Sequence, residues 1–193
     1  MEIVNAHDSD LELIFDLYGK AIEFQKTVFD KHWLGFDNEL VRQEIDENRL
    51  WKILEADAIA CIFSVAYEDP MIWGEDSGDS AMYIHRIVTN PEFRGRGYVK
   101  AIVEWARTHA YENALRYIRM DTWGDNLKLK DYYTGSGFEY KGAVTPADSP
   151  TLPKHYRGIN LGLFEIDLEK EESEASGPAP ALIHPRASLP AQG

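Results

Sequence analysis

The sequence contains a single cysteine, Cys61, which excludes an internal disulfide bond. It lies in an apolar stretch, and this predicts a buried thiol that packs as a small hydrophobic group. No stretch approaches the roughly 18 apolar residues that a membrane-spanning helix requires, so the sequence predicts no membrane span. The N-terminal segment lacks the positive start and apolar core of a signal peptide, and we therefore expect a cytoplasmic protein.

Positive charge is also scarce. The 193 residues include 33 Asp and Glu against 20 Lys and Arg, which gives a formal net charge of −13. This balance argues against a nucleic-acid-binding surface, because such a surface requires a basic patch. It is compatible with a cationic amine as substrate, but acidity more often only keeps a protein soluble. The length is sufficient for one domain with a full hydrophobic core and a tail.

Some of the few cations cluster between a predicted strand and a predicted helix. Residues 82–89 are rich in β-branched and aromatic side chains and predict the strand, and residues 99–110 have apolar side chains at helical spacing. The sequence Arg94-Gly95-Arg96-Gly97 lies between them. A helix N-terminus attracts anions, and glycine lets a ligand approach the backbone closely. The stretch therefore predicts a phosphate-binding loop, although many helices that bind nothing also begin at a glycine loop.

A second informative stretch lies about 30 residues further along the chain. Residues 115–122 predict another strand, and Asn126 precedes Tyr133 by seven positions, before the pair Gly137-Phe138. Taken alone, Tyr133 can equally be a core tyrosine with a satisfied hydroxyl group.

Together, the two stretches resemble the motifs of the GNAT superfamily of acetyl-CoA-dependent N-acetyltransferases. Arg94, Gly97 and Val99 occupy the fixed positions of the family pattern Gln/Arg-x-x-Gly-x-Gly/Ala, and Val99 departs from the usual small residue. Asn126 and Tyr133 have the spacing of the late motif. The resemblance implies an α/β protein with the GNAT fold over residues 1–168. This fold has a mixed central sheet of about six to seven strands, helices on both faces, and central parallel strands splayed at the acetyl-CoA site.

The same resemblance implies direct transfer of an acetyl group from acetyl-CoA to a primary amine. The end of the first predicted strand would bind the pantetheine arm and stabilise the oxyanion through its backbone, at Ile87, Val88 and Thr89. Asn126 would hydrogen-bond the pantetheine from the next strand. The diphosphate would be bound by the loop and the first helical turn, at Arg94, Gly95, Arg96, Gly97, Tyr98, Val99 and Lys100.

Tyr133 is implied as the general acid that protonates the departing thiolate, besides contacting the cosubstrate. The general base remains open. Asp121 matches the position of a carboxylate base in ribosomal-protein N-acetyltransferases, but it can also be a structural residue that ends a strand. His85 has a suitable pKa, but a histidine in a strand is more often structural. A chain of water molecules to solvent is a further alternative, and no metal is expected.

The expected partners are therefore acetyl-CoA and an unidentified amine acceptor, with no nucleic acid and no membrane; a homodimer stays open. The aromatic loop at residues 32–36 either borders the acceptor site, as the resemblance implies, or plugs the core. An alternative from another class is a regulatory acyl-CoA-binding module without catalysis. Asn126 and Tyr133, present together, favour the enzyme.

Two further segments are predicted to lie outside the core. Residues 68–79 are acidic and contain Gly and Pro, so we expect a surface loop. Residues 169–193 begin with EKEESEASGPAP and hold four of the nine prolines, so we expect a disordered tail.

Overall fold

The computed structural model describes residues 1–28, 32–124, 126–147, 156 and 158–175. The strands are β1 (Glu2–Asn5), β2 (Leu50–Glu55), β3 (Ala58–Ala66), β4 (Ala81–Thr89), β5 (Tyr117–Trp123), β6 (Glu139–Val144) and β7 (Leu161–Asp167). The α-helices are α1 (Leu11–Val28), α2 (Asn38–Asp46), α3 (Pro70–Trp73), α4 (Tyr98–Glu112), α5 (Leu127–Thr134) and α6 (Leu168–Ala175). Within these described ranges, no helix is both long enough and apolar enough to cross a membrane.

The strands form one sheet of seven in the order β1-β2-β3-β4-β5-β7-β6. Neighbouring strands are antiparallel, except for β4 and β5, which run parallel. Parallel neighbours require a crossover connection, and α4 provides it. The sheet therefore confirms the predicted α/β fold with its mixed sheet and central parallel pair.

Side chains on alternate positions of β3 enter two separate cores. Phe63 packs in one core with Ile102 of α4, whereas Ile62 packs in the other with Leu17 of α1. Successive strand residues point to opposite faces, so helices cover both faces of the sheet, as predicted. Cys61 is fully buried, and this burial raises the pKa of its thiol to about 12.

The central strands β4 and β5 separate before either of them ends. Their pairing runs from Ala81 opposite Tyr117 to Ile84 opposite Met120. Both strands continue beyond that point, β4 by five residues to Thr89 and β5 by three to Trp123. The gap confirms the predicted splay. It lies at the carboxyl ends of parallel strands, where ligands bind in open α/β sheets.

A bulge in β4 accompanies this splay. The register between β3 and β4 shifts between Ile62 and Ser64, across from Arg86, whose φ of +51° is unusual for a residue other than glycine. The Arg86 side chain forms a bidentate ion pair with Glu44 of α2 and donates to Ser64 Oγ at 2.8 Å. Its guanidinium group also lies 5.0 Å from the centre of the Phe36 ring. These contacts hold the strained residue in place.

The segment between β3 and β4 is largely exposed, as predicted for a surface loop, but it also contains helical turns. These are α3 and a 3₁₀ turn, and Ile72 and Trp73 of α3 are buried in a third apolar cluster. Arg119 of β5, which is 3% exposed, donates to the Asp76 carbonyl oxygen at 2.6 Å and to the Asp79 carboxylate at 2.8 Å. A charged residue some 40 positions later therefore anchors this exposed segment to the sheet.

Residues 168–175 are helical rather than disordered, which corrects the expectation for the start of the tail. The Asp167 carboxylate accepts hydrogen bonds from the backbone N–H groups of Glu169 and Lys170, so it caps α6. Arg107 of α4 then pairs with Glu171 at 2.7 Å. The folded domain therefore includes α6, and residues 176–193 of the predicted tail lie outside the described residues.

We expect the substitution Glu44→Gln to lower the free energy of unfolding by about 3 kcal/mol or more, because it leaves the buried Arg86 guanidinium group without its counter-charge. Glu39→Gln, at an exposed position of the same helix, is the matched control and should change stability by about 0.5 kcal/mol or less. Urea unfolding of both variants measures the difference. Equal stabilities would mean that the ion pair does not hold the bulge.

Candidate active site

A cavity of about 500 Å³ opens between the splayed ends of β4 and β5. The loop before α4, the C-terminal part of α1 and helix α5 complete its walls. Many of the predicted site residues line it: His85, Ile87, Val88, Thr89, Arg94, Gly95, Asp121 and Tyr133. The structure therefore brings the two sequence motifs together at one place.

The loop before α4 has the geometry of an anion site. Gly95 and Gly97 have φ angles of +80° and +73°, and a Cβ atom added at either position would point into open space. Gly97 is the N-cap of α4, and the first N–H groups of a helix have no partner within it. Arg94 lines the cavity, and its guanidinium group lies 4.2 Å from the centre of the Phe24 ring. The loop thus fits the diphosphate of acetyl-CoA.

The remaining predicted side chains of this loop and helix turn away from the cavity. Arg96 pairs with Glu55, and the Tyr98 hydroxyl group donates to the same carboxylate at 2.5 Å. Val99 is buried in the core beneath α4, so its branched side chain does not crowd the loop. Lys100 is exposed on α4. Tyr98 and Val99 can therefore reach a diphosphate only through their backbone N–H groups.

Tyr133 reaches the cavity from α5. Its ring lies 5.5 Å from that of Phe164 and 6.4 Å from that of Phe138, which fixes the side chain against the core. Burial raises the pKa of its hydroxyl group well above the usual range, so the group keeps its proton at neutral pH. Tyr132 beside it is 45% exposed.

Asn126 has a structural role that its motif does not reveal. Its Oδ1 atom accepts a hydrogen bond from the Leu129 backbone N–H at 3.1 Å and caps α5. The side chain does not line the cavity. Contact between Asn126 and pantetheine therefore stays a prediction.

His85 lies between two carboxylates at the end of the cavity. Its Nδ1 atom is 3.7 Å from Asp121 Oδ1, and its Nε2 atom is 3.5 Å from Asp69 Oδ2. One ligand atom from each of the three side chains lies within 4.8 Å of the other two, a spacing that suits one bound cation. Asp121 and His85 are the two predicted candidates for the general base. Asp69 was not predicted, because it lies in the segment that Arg119 anchors and nothing in its local sequence marks it.

Burial controls the protonation of this cluster. It lowers the pKa of His85 to about 3, with help from Arg86 and Arg49, so the imidazole is neutral and forms no ion pair. Burial and the neighbouring Asp69 raise the pKa of Asp121 to about 8, and burial raises the pKa of Asp69 to about 6. Burial therefore favours the neutral form of all three side chains.

Aromatic residues form part of the same cavity wall. Trp33 and Tyr156 line the cavity. Trp33 also packs against Phe36 at 5.3 Å, and Phe36 packs against Tyr18 of the core at 4.6 Å. The aromatic loop thus has both of the positions that its sequence left open. Trp33 faces the cavity, whereas Phe36 packs against the core.

The fold and the cavity define an α/β protein with an anion-binding helix N-terminus beside splayed parallel strands. A family model described as "Acetyltransferase (GNAT) family" matches residues 18–138, which is more than half of the chain. The chain belongs to the GNAT acetyltransferase family. It is accordingly an acetyl-CoA-dependent acyltransferase, as the sequence resemblance implies.

Three similar proteins share between 12% and 23% of their residues with this chain over the matched regions. The uncharacterized N-acetyltransferase YesJ of Bacillus subtilis (strain 168) is 23% identical over 142 residues, which cover 69% of this chain and 79% of YesJ. A GNAT-family acetyltransferase of Listeria monocytogenes has a TM-score of 0.68 at 22% identity, over 86% of this chain and 94% of that one. The structure of yncA from Salmonella typhimurium, determined with its cofactor acetyl-CoA, has a TM-score of 0.63 at 12% identity, over 87% and 94%.

We expect Asp121→Asn to stabilise the protein increasingly as the pH rises from about 4 to about 8. The unfolded chain releases this proton near its ordinary pKa of 3.8, whereas the folded protein retains it until a pKa of about 8, so ionisation opposes folding across that range. The gain in the free energy of unfolding should exceed about 1.4 kcal/mol at pH 8, a factor of ten in the equilibrium constant.

Denaturant unfolding at several pH values measures this gain, with Asp131→Asn at an exposed position of α5 as the control. A difference between Asp121→Asn and the wild type that is the same at every pH would show that the Asp121 carboxyl group ionises normally.

Proposed function

We propose that this enzyme transfers the acetyl group of acetyl-CoA directly to a primary amine. The observation that carries the proposal is a single cavity that joins the loop at Arg94 and Gly95 to the buried carboxyl group of Asp121. One end suits an anionic cosubstrate, and the other end suits a cationic acceptor.

The exposed edge of β4 supports the placement of the cosubstrate. Beyond Ile84, β4 pairs on its β5 side with no strand among the described residues, and Ile87, Val88 and Thr89 line the cavity there. Unpaired backbone groups seek partners, which the amide groups of a pantetheine arm can provide. The yncA structure was determined with its cofactor acetyl-CoA, which supports acetyl-CoA as the cosubstrate.

The reaction requires a proton acceptor, since an alkylammonium group cannot attack a thioester until it is deprotonated. Asp121 is the stronger base of the two candidates, because its pKa of about 8 exceeds that of about 3 for His85. An ammonium group beside Asp121 favours the charged carboxylate and lowers its pKa, so the acceptor itself prepares the base.

Two other groups act after attack begins. The backbone N–H groups at residues 87–89 line the cavity and are proposed to stabilise the negative charge that develops on the acetyl oxygen. Tyr133 retains its proton at neutral pH and can donate it to the departing thiolate. Acetyl-CoA supplies the activated acetyl group.

A direct assay tests this function. Release of the CoA thiol from acetyl-CoA is followed with a panel of primary amines, and mass spectrometry identifies the acetylated product. Calorimetry measures acetyl-CoA binding separately. Binding without thiol release for any amine would contradict the proposed acceptor class and favour a regulatory acyl-CoA-binding role.

We expect Gly97→Val to weaken acetyl-CoA binding at least about tenfold, equivalent to about 1.4 kcal/mol. A β-branched residue is strained at the φ of +73°, and its side chain would occupy the open space of the loop. Gly142→Val is the matched control, because Gly142 also has a positive φ, +111°, but lies in β6 away from the cavity. If calorimetry gives equal affinities for both folded variants, the loop does not bind the cosubstrate.

We expect Tyr133→Phe to lower kcat by roughly 10²–10⁴, the usual contribution of a positioned general acid. Affinity for acetyl-CoA should change much less, since one neutral hydrogen bond contributes about 0.5–1.5 kcal/mol. Steady-state kinetics and calorimetry separate the two effects, and Tyr132→Phe serves as the neighbouring control. A large loss of affinity with normal kcat would make Tyr133 a binding residue instead.

A further inference from the structure

Two buried carboxylate oxygens, one in the cavity wall and one beside it, have no hydrogen-bond partner among the described residues. They are Asp121 Oδ1 and Asp69 Oδ2, the same atoms that face the two ring nitrogens of His85. Asp121 lines the cavity, and Asp69 lies next to it without lining the cavity itself; ligand atoms of the two residues and of His85 lie within 4.8 Å of one another. Buried polar atoms are normally paired, so two unpaired acceptors this close together indicate that a donor binds between them.

We propose that Asp69 and Asp121 together bind the ammonium group of the acceptor, and that the acceptor is a small primary amine with a single cationic group on an apolar body. This inference rests on the proposed function, because it specifies the acceptor for the same site. Asp69 is assigned here as a second carboxylate of the acceptor site, contributed by the segment between β3 and β4.

The electrostatics of the cluster agree with a bound cation. Burial raises the pKa values of both Asp121 and Asp69, so their charged forms are destabilised until a positive group lies beside them. Tyr156 and Tyr133 also interact electrostatically with Asp121, and both hydroxyl groups are neutral because burial raises their pKa values. An ammonium group beside the two carboxyl groups therefore stabilises their charged forms.

The remaining walls argue against a second cation on the acceptor. Among the described residues that line the cavity, Asp121 is the only one with a carboxyl group, and the other charged side chains are the cations Arg86 and Arg94. A second ammonium group on the acceptor would therefore find no counter-charge in the cavity wall. A monoamine thus fits better than a diamine.

The aromatic residues favour an apolar body next to the ammonium group. Trp33 and Tyr156 line the cavity, and aromatic rings accept both apolar groups and organic cations. The volume of about 500 Å³ must also admit the acetyl end of the cosubstrate, which leaves room for a small molecule.

The test uses the full chain and four probe amines at saturating acetyl-CoA: phenethylamine, butylamine, 1,4-diaminobutane and a lysine with blocked termini. Asp69→Asn keeps the shape of the side chain and removes its charge. Asp76→Asn, at an exposed position of the same segment, is the matched control.

We expect Asp69→Asn to raise KM for phenethylamine and butylamine at least about tenfold, a loss typical of one charge-assisted hydrogen bond. KM for acetyl-CoA and the melting temperature should stay close to those of Asp76→Asn.

A second measurement on the wild type does not depend on how the variant folds. Calorimetry in the presence of CoA compares phenethylamine with its uncharged isostere, phenethyl alcohol. We expect the amine to bind at least about tenfold more tightly, because only the amine supplies a positive charge to the two carboxyl groups.

Several results would overturn the inference. These are an unchanged amine KM in Asp69→Asn, equal binding of amine and alcohol, a preference for 1,4-diaminobutane or blocked lysine, or loss of activity on EDTA treatment with recovery on adding Zn²⁺ or Mg²⁺. A panel in which no amine binds or reacts would do so as well. The proposed function would survive the results with Asp69→Asn, phenethyl alcohol, the diamine or lysine, and EDTA, because acetyl transfer to some amine would still be observed. It fails separately if acetyl-CoA is not consumed with any amine.

Discussion

The buried ion pair between Arg86 and Glu44 holds together the feature on which the site depends. A residue other than glycine at positive φ destabilises a strand, and β4 tolerates it because α2 and Ser64 bind the Arg86 side chain from across the sheet. The bulge carries the end of β4 away from β5. The cavity, the exposed edge of β4 and the space beside Asp121 all follow from that departure.

Strand β5 places both carboxyl groups of the cluster, one directly and one through an anchor. Arg119 and Asp121 are two residues apart, so they point to the same face of the sheet. Arg119 binds Asp76 and Asp79 and thereby holds the segment that contains Asp69 over this face. The position of Asp69 thus depends on which face of β5 carries Arg119, and not on the sequence around Asp69 itself.

Local patterns in the sequence predicted those strands, loops and helices whose conformation depends mainly on neighbouring residues. The predicted strand, glycine loop and helix around Gly97 are present in the structure, as is the mixed sheet. Asp121 and Tyr133 line one cavity, while their catalytic roles stay predictions. Long-range pairs decided the rest. The acidic composition after residue 168 suggested disorder, but Asp167 and Arg107 stabilise a helix there. Asp69 could not be predicted as a neighbour of His85, because its position depends on Arg119 in strand β5.

Under the proposed function, the acceptor is bound by residues from two different kinds of element. Asp121 lies in β5, a strand of the central sheet, whereas Asp69 lies in the connection that Arg119 and the buried side chains of α3 hold to the sheet. Sequence changes within that connection would alter which amine binds while the sheet and the loop before α4 remain intact. Part of the acceptor choice would then belong to an exchangeable connection on a constant frame.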